Sequence, residues 1–238
     1  MSAPRATVNP MDYDAIATSL AASAVAPLRV RRVLADRLGC RGYYDPNTKH
    51  ITIELELEGL AWLATLAHEL GHAASHQRGR PAAYDRAINA RPDHWRGLPM
   101  DEQRAIVAEE TLAWQLGLDL ARAHGLVDAD EFVAHARAQL ENYRDRVDVP
   151  GETFDAAIAA AGISSTPRKL LIQVATNEAR EQVDVTAAAA IELLVAGMLE
   201  LRPPPVLMPS EAGHARRYVD MTELGREALR VLNSPEGE

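Results

Sequence analysis

The stretch Leu60 to His76 limits what this chain can fold into more than any other. Leu63, Leu66, Ala67, Leu70 and Ala74 recur at helical spacing and form an apolar stripe, so one side of this helix must be buried. The same helix carries His68-Glu69-Leu70-Gly71-His72. His68 and His72 are four residues apart, which sets both imidazoles on one face, one turn apart. Glu69 is offset from His68 by about 100°. Burying two imidazoles and a carboxylate without partners is costly, so the fold must bring hydrogen-bonding groups or a metal ion to this helix. Imidazoles at this spacing can share a tetrahedral zinc ion. Glu69 can then reach a metal-polarised water without ligating the metal, and accept its proton as general base.

A catalytic zinc needs a third protein ligand. Cys40 is the single cysteine, which excludes both a Cys-based zinc site and an intrachain disulfide. A third histidine in the pattern His72-x-x-Gly-x-x-His is absent, because Ser75 and Arg78 stand at those places. The remaining option is an acidic residue on a second helix, and the next strong helical pattern, about Asp101 to His124, offers Glu109 and Glu110. Glu110 shares a face with Ala113 and Gly117, small residues that let two helices approach closely around a metal. Glu109 lies over Leu112, Ala113 and Leu116, an ordinary core stripe. Glu110 is therefore the expected ligand and Glu109 the alternative; a solvated helix charge is the plainer role for either.

These residues resemble a known group. A hairpin, then Leu63-Ala-Thr-Leu-Ala-His-Glu-Leu-Gly-His72, then Glu110-x-x-Ala113, is similar to the ImmA/IrrE family of zinc metallopeptidases, which are gluzincins. The likeness covers about residues 12 to 125. It implies a zincin-like fold, with His68, His72 and Glu110 as zinc ligands and Glu69 as catalytic base. It also implies a cytoplasmic bacterial or phage protein. Several family members cleave a specific DNA-binding repressor, and others are toxin-like partners in two-gene operons. The family motif usually continues Ala-Asn or Ala-Asp and then Phe-Ala; here it continues Ala113-Trp114-Gln115-Leu116.

The rest of the chain reads as α+β and mostly α. Aromatics make up 5% and alanine is abundant, which favours helices over a β-sandwich. Asp12 to Leu38 is expected as one or two helices broken at Pro27. Ile51, Ile53, Leu55 and Leu57 alternate with Thr52, Glu54, Glu56 and Glu58, which predicts a strand. Asp45-Pro46-Asn47 supplies a turn, and Tyr43 and Tyr44 begin a partner strand. In zincin architecture such a strand edges the cleft and pairs with extended substrate; its glutamates then face solvent or a basic substrate, or protect an edge. Arg78 to Pro99 is expected as a loop with at most one helical turn, and Asp128 to Arg146 as a helix. The expected domains are a zincin-like one over 1–148, a linker over 149–165 and a small winged-helix-like one over 166–238. In the last, helices are expected over Thr166–Ala179 and Thr186–Leu201. Val206–Met208 is expected to pair with Arg217–Asp220 as a hairpin, and a final helix is expected from near Thr222 to Leu232. Leu194-Val-Ala-Gly-Met-Leu-Glu200 and Arg217-Tyr-Val-Asp-Met-Thr-Glu-Leu-Gly-Arg226 resemble the end of a winged-helix domain.

Several residues are candidates for supporting roles. His76, one more turn along the helix, either orients a ligand or caps the helix end. Tyr84, His94 and Tyr43 are candidate donors to an oxyanion. Trp62 and Trp114 are expected in the core, and Trp95 as a substrate contact or a loop anchor.

The net charge is −9, which gives no support to nucleic-acid binding. From Thr166 onward, eight Lys and Arg face eleven Asp and Glu, so a protein-interaction or dimerisation role is preferred there. DNA contact through Arg168, Lys169, Arg216 and Arg217 is the minor option. Met1 to Asn9 has no apolar core of a signal peptide, and no run of ~18 apolar residues occurs, so the expected compartment is the cytoplasm. The leading expectation is a zinc metallopeptidase with a narrow protein substrate, a transcriptional repressor being one candidate. The competing expectation is a regulatory or toxin-like binding protein with a structural metal site, whose C-terminal domain binds a protein or DNA.

Overall fold

The computed structural model describes residues 11–24, 27–35, 40–79, 82–88, 92–163, 182–184, 193, 198–201 and 216–232. Helix α1 (Tyr13–Ser23) starts where Asp12 Oδ1 accepts the Ala15 N–H at 2.9 Å. It does not resume after Pro27 as expected; Arg29–Val33 is instead strand β1. Proline supplies no N–H to continue a helix, and Arg-Val-Arg-Arg-Val suits an extended chain that half-buries its valines. Strands β2 (Gly42–Asp45) and β3 (His50–Glu54) form the expected hairpin. Asp45 Oδ1 accepts the Asn47 N–H at 2.9 Å, and Lys49 takes a left-handed φ of 58° to close the turn.

The sheet order is β1-β3-β2, with β1 parallel and β2 antiparallel to β3. This corrects the expected place of the second hairpin strand. It ends at Glu54 and lies in the middle of the sheet, so it has no free edge; β2, not β3, borders the cleft described below. Burial on both faces follows. Ile51 and Ile53 join the core, while Thr52 is covered by Arg31, whose Nε donates to Thr52 Oγ1 at 2.8 Å. Leu55 and Glu56, beyond the strand, are exposed.

Helix α2 (Gly59–Arg78) carries the two histidines; its first N–H, of Gly59, is capped by Asp14 Oδ1 of α1 at 2.8 Å. The loop that follows contains a short helix α3 (Ala82–Ala87) and a 3-10 turn (Pro92–Gly97). Helix α4 (Met100–Ala123) packs along α2 more closely than ordinary side chains permit. A Cβ on Gly71 would lie 2.0 Å from the Ala113 carbonyl oxygen, and one on Gly117 would lie 2.6 Å from that of Ala67. Two glycine–alanine pairs thus set the spacing at which α2 and α4 cross.

Helices α5 (Asp130–Glu141) and α6 (Gly151–Ala161) close the core, with Arg144–Arg146 forming a 3-10 turn between them. Residues 151–161 were expected in a linker and are not one. Pro150 sits at the N-terminus of α6, and Phe154, Ala157 and Ala161 belong to the same core as Leu63 and Ile106. An alanine-rich face leaves room for α4 to lie against it. Helix α7 (Glu223–Leu232) packs on α6, with Thr153 Oγ1 donating to Glu227.

Strands β4 (Gln182–Asp184), β5 (Leu199–Leu201) and β6 (Arg216–Met221) form a second antiparallel sheet in the order β4-β6-β5. Leu199–Leu201 was expected at the end of a helix; here it pairs with β6. The expected helix Thr166–Ala179, the Val206–Met208 strand and most of Thr186–Met198 lie outside the described residues. No described helix is long and apolar enough to cross a membrane.

Candidate metal centre

The close crossing of α2 and α4 places His68, His72 and Glu110 together, in a buried group that could hold a metal ion. His68 Nε2 and His72 Nε2 are 3.1 Å apart. Glu110 Oε2 lies 3.2 Å from His68 Nε2, and Oε1 lies 3.6 Å from His72 Nε2. Glu110 Oε2 is buried and has no partner in good hydrogen-bond geometry among the described residues, although both imidazoles crowd its carboxylate, so the three groups converge on one small volume. Burial would raise the Glu110 pKa, but His72 and His68 hold it below the ordinary carboxylate range. Burial would lower that of His72, but the Glu110 charge and the hydrogen bonds its ring donates to both glutamates push it up to about 10.

Glu109 is also buried, 2% exposed, and has a different job. His72 Nδ1 lies 3.2 Å from Glu109 Oε1, and Ser75 Oγ donates to Glu109 Oε2 at 2.7 Å. A carboxylate on Nδ1 keeps a proton there, so Nε2, which faces the shared centre, is the nitrogen that an incoming ion would take once its own proton is displaced. Neither the core stripe nor the solvated charge expected of Glu109 describes it. The signal was available, since a histidine ligand usually needs an acceptor on its second nitrogen, and Ser75 lies on the His72 side of the helix.

Glu69 is buried beside the group and points under strand β2. Burial pushes its carboxyl above the ordinary value, against the opposing influence of His68 and His72 and a hydrogen bond from the Tyr44 backbone N–H. Two clefts meet here, of about 430 and 240 Å³, and share Gly42, His68, Glu69, Glu110 and Tyr143. The larger is bordered by Tyr43, Tyr44, His76, Tyr84 and Ile88, the smaller by Arg41, Thr65, Trp114, His135 and Gln139.

The expected supporting residues fall unevenly. Tyr43 and the buried Tyr84 line the larger cleft, whereas His94 is exposed and lines neither. His76 also lines the larger cleft, edge-on to Tyr44 at 6.1 Å. Trp62 is half-buried under the Arg32 guanidinium, 4.6 Å from its ring. Trp95 is a loop anchor, buried and stacked on Tyr143 with ring centroids 5.6 Å apart. Tyr143 itself was missed. It faces both clefts, and burial, the Glu110 charge and a hydrogen bond to Glu110 raise its pKa well above the ordinary phenol value. Nothing in the sequence marks a tyrosine just past the end of a helix as part of a site three elements away.

Compared with protein families, curated proteins and solved structures, the chain matches none.

Proposed function

We propose that this chain is a zinc-dependent metallopeptidase of the ImmA/IrrE type, acting on a protein substrate. The observation that carries the proposal is the set of donor separations, 3.1, 3.2 and 3.6 Å, next to a further buried carboxyl group, Glu69. Donors about 2.0–2.1 Å from a tetrahedral zinc stand roughly 3.3 Å apart, so the three side chains fit one face of that tetrahedron. When bound, zinc supplies Lewis acidity that brings the pKa of a water near neutrality and polarises a carbonyl. His68, His72 and Glu110 would hold it, and Glu109 would orient His72. Glu69 accepts the proton of the attacking water and delivers it to the leaving amine; its raised pKa suits both transfers. The Tyr143 hydroxyl, kept protonated by its surroundings, is placed to donate to developing negative charge on the carbonyl oxygen. The two clefts meeting at Glu69 accommodate chain on either side of a scissile bond. The order β4-β6-β5 followed by α7 supports a winged-helix-like C-terminal region, whose acidic balance favours a protein partner over DNA.

The test is in two parts. Purified protein should hold about one zinc per chain, and His68→Ala or His72→Ala should lose it. Glu69→Gln should keep zinc and fold, yet cleave a peptide library or the product of the neighbouring gene at least ~10²-fold more slowly. Unchanged zinc in both histidine variants, or wild-type turnover by Glu69→Gln, would defeat the proposal.

A further inference from the structure

The two histidines are held by different physics. His72 has the Glu109 carboxylate on its Nδ1, whereas His68 Nδ1 is buried with no hydrogen-bond partner among the described residues. A ligating imidazole needs its ring plane fixed, and a hydrogen bond on the second nitrogen is the usual means. For His68 that means is missing. In its place the indole of Trp114 lies against the ring, with centroids 4.2 Å apart and planes 26° from parallel. Trp114 is one turn beyond Glu110 on α4, so the residue that supports His68 and the third donor share a helix face. The indole is itself fixed from behind by α5: Phe132 meets it edge-on at 6.0 Å and His135 at 6.1 Å. Trp114 is 3% exposed, with the smaller cleft along one side of the stack.

We infer that Trp114 is a positioning residue for the metal centre, setting the His68 ring by aromatic stacking where His72 is set by a carboxylate. This rests on the zinc assignment above. It makes His68 the arm that depends on shape and His72 the arm that depends on charge. It also gives a role to the position at which the chain leaves the family's Ala-Asn or Ala-Asp pattern.

The experiment uses the full chain and zinc alone, titrated against a competing chelator, with tryptophan emission as a second readout. Trp114→Phe keeps a stacking ring and should bind zinc nearly as the wild type does. Trp114→Leu fills the space without a π face and should bind about 10–100-fold more weakly, the usual effect of removing a ligand's support. Circular dichroism of the zinc-free variants controls for folding. The chain has three tryptophans, so emission can be assigned by substitution. A zinc-dependent emission change should persist in Trp62→Phe and Trp95→Phe and vanish in Trp114→Phe. If the wild type binds no metal, the zinc assignment fails. If folded Trp114→Leu binds zinc as tightly as the wild type, or the emission change survives in Trp114→Phe, the positioning role is refuted while the zinc assignment stands.

Discussion

Replacing Gly71 by alanine tests the link between fold and site most sharply, because it adds one methyl and touches no donor atom. That methyl would fall 2.0 Å from the Ala113 carbonyl oxygen, 2.8 Å from its carbon and 3.0 Å from its Cα, where ordinary contact begins at 3.4 Å. All three are backbone atoms of α4, so no side chain can rotate away. The helices must separate by roughly 1 Å or more at the crossing. Overpacking of this kind costs about 1–3 kcal/mol, and the better helix propensity of alanine returns at most about 1 kcal/mol. The net loss of stability is therefore modest, up to about 3 kcal/mol, and the protein should still fold. The site is less tolerant. Glu110 rides on α4 while His68 and His72 ride on α2, and a metal–oxygen bond of about 2.0–2.2 Å does not stretch by an ångström. Zinc affinity should fall by on the order of 100-fold or more, beyond the effect of losing an outer-sphere partner. The assay pairs zinc titration against a chelator with thermal melting of the zinc-free protein. Gly97→Ala is the control, since nothing lies within 4 Å of its added methyl. A Gly71→Ala protein with wild-type zinc affinity would show that the close crossing does not build the site.

Other substitutions separate the acids by role. Glu110→Gln should weaken zinc binding by more than ~100-fold, and Glu109→Gln by only about 10-fold, because the second loses support for a ligand and the first loses a ligand; the reverse order would exchange their roles. In the metal-free protein the His72 pKa is raised from 6.5 to about 10, so at neutral pH an incoming ion must displace its proton. Zinc binding between pH 7 and 8 should release close to one proton, read by calorimetry in buffers of different ionisation enthalpy, and no release would refute the His72 environment. The same shift stabilises the metal-free fold fully below pH 6.5 and is lost as pH rises through about 10, so its melting temperature should drop over that window. Phe154→Ala should cost about 3–5 kcal/mol in chemical denaturation if α6 belongs to the core, and almost nothing if the segment behaves as a linker.

The local pattern made α2, α4, α7 and the hairpin legible, because each has its own periodicity or turn chemistry. The elements missed were those decided by distant partners. Arg29–Val33 becomes a strand only because β3 offers an unpaired side, and β3 loses its alternating burial for the same reason. The 151–161 helix looked like a boundary because Val149-Pro150-Gly151 is breaker chemistry, yet proline and glycine there start a helix whose small face fits α4. Within the site, the motif spacing located His68, Glu69 and His72, and small neighbours pointed to Glu110. Glu109, Ser75, Trp114 and Tyr143 were not legible as a set, since their roles depend on how α2, α4 and the end of α5 approach one another.

The arrangement also bears on whether a bound ion would be structural or catalytic. A structural zinc is enclosed by four protein donors, whereas a catalytic one has three and faces a cleft. Among the described residues three donors converge, and the side they leave uncovered opens on two clefts. Glu69 weighs further in the same direction. A structural ion has no use for an extra carboxylate buried beside it, and burying that carboxylate works against stability, as the upward shift of its pKa records. The fold nevertheless holds it in place with the Tyr44 backbone N–H, from the sheet strand that borders the cleft. Groups kept in a destabilising environment by dedicated contacts are characteristic of sites that perform proton transfer. Together with a tyrosine hydroxyl facing both clefts, that favours hydrolysis over a purely structural centre.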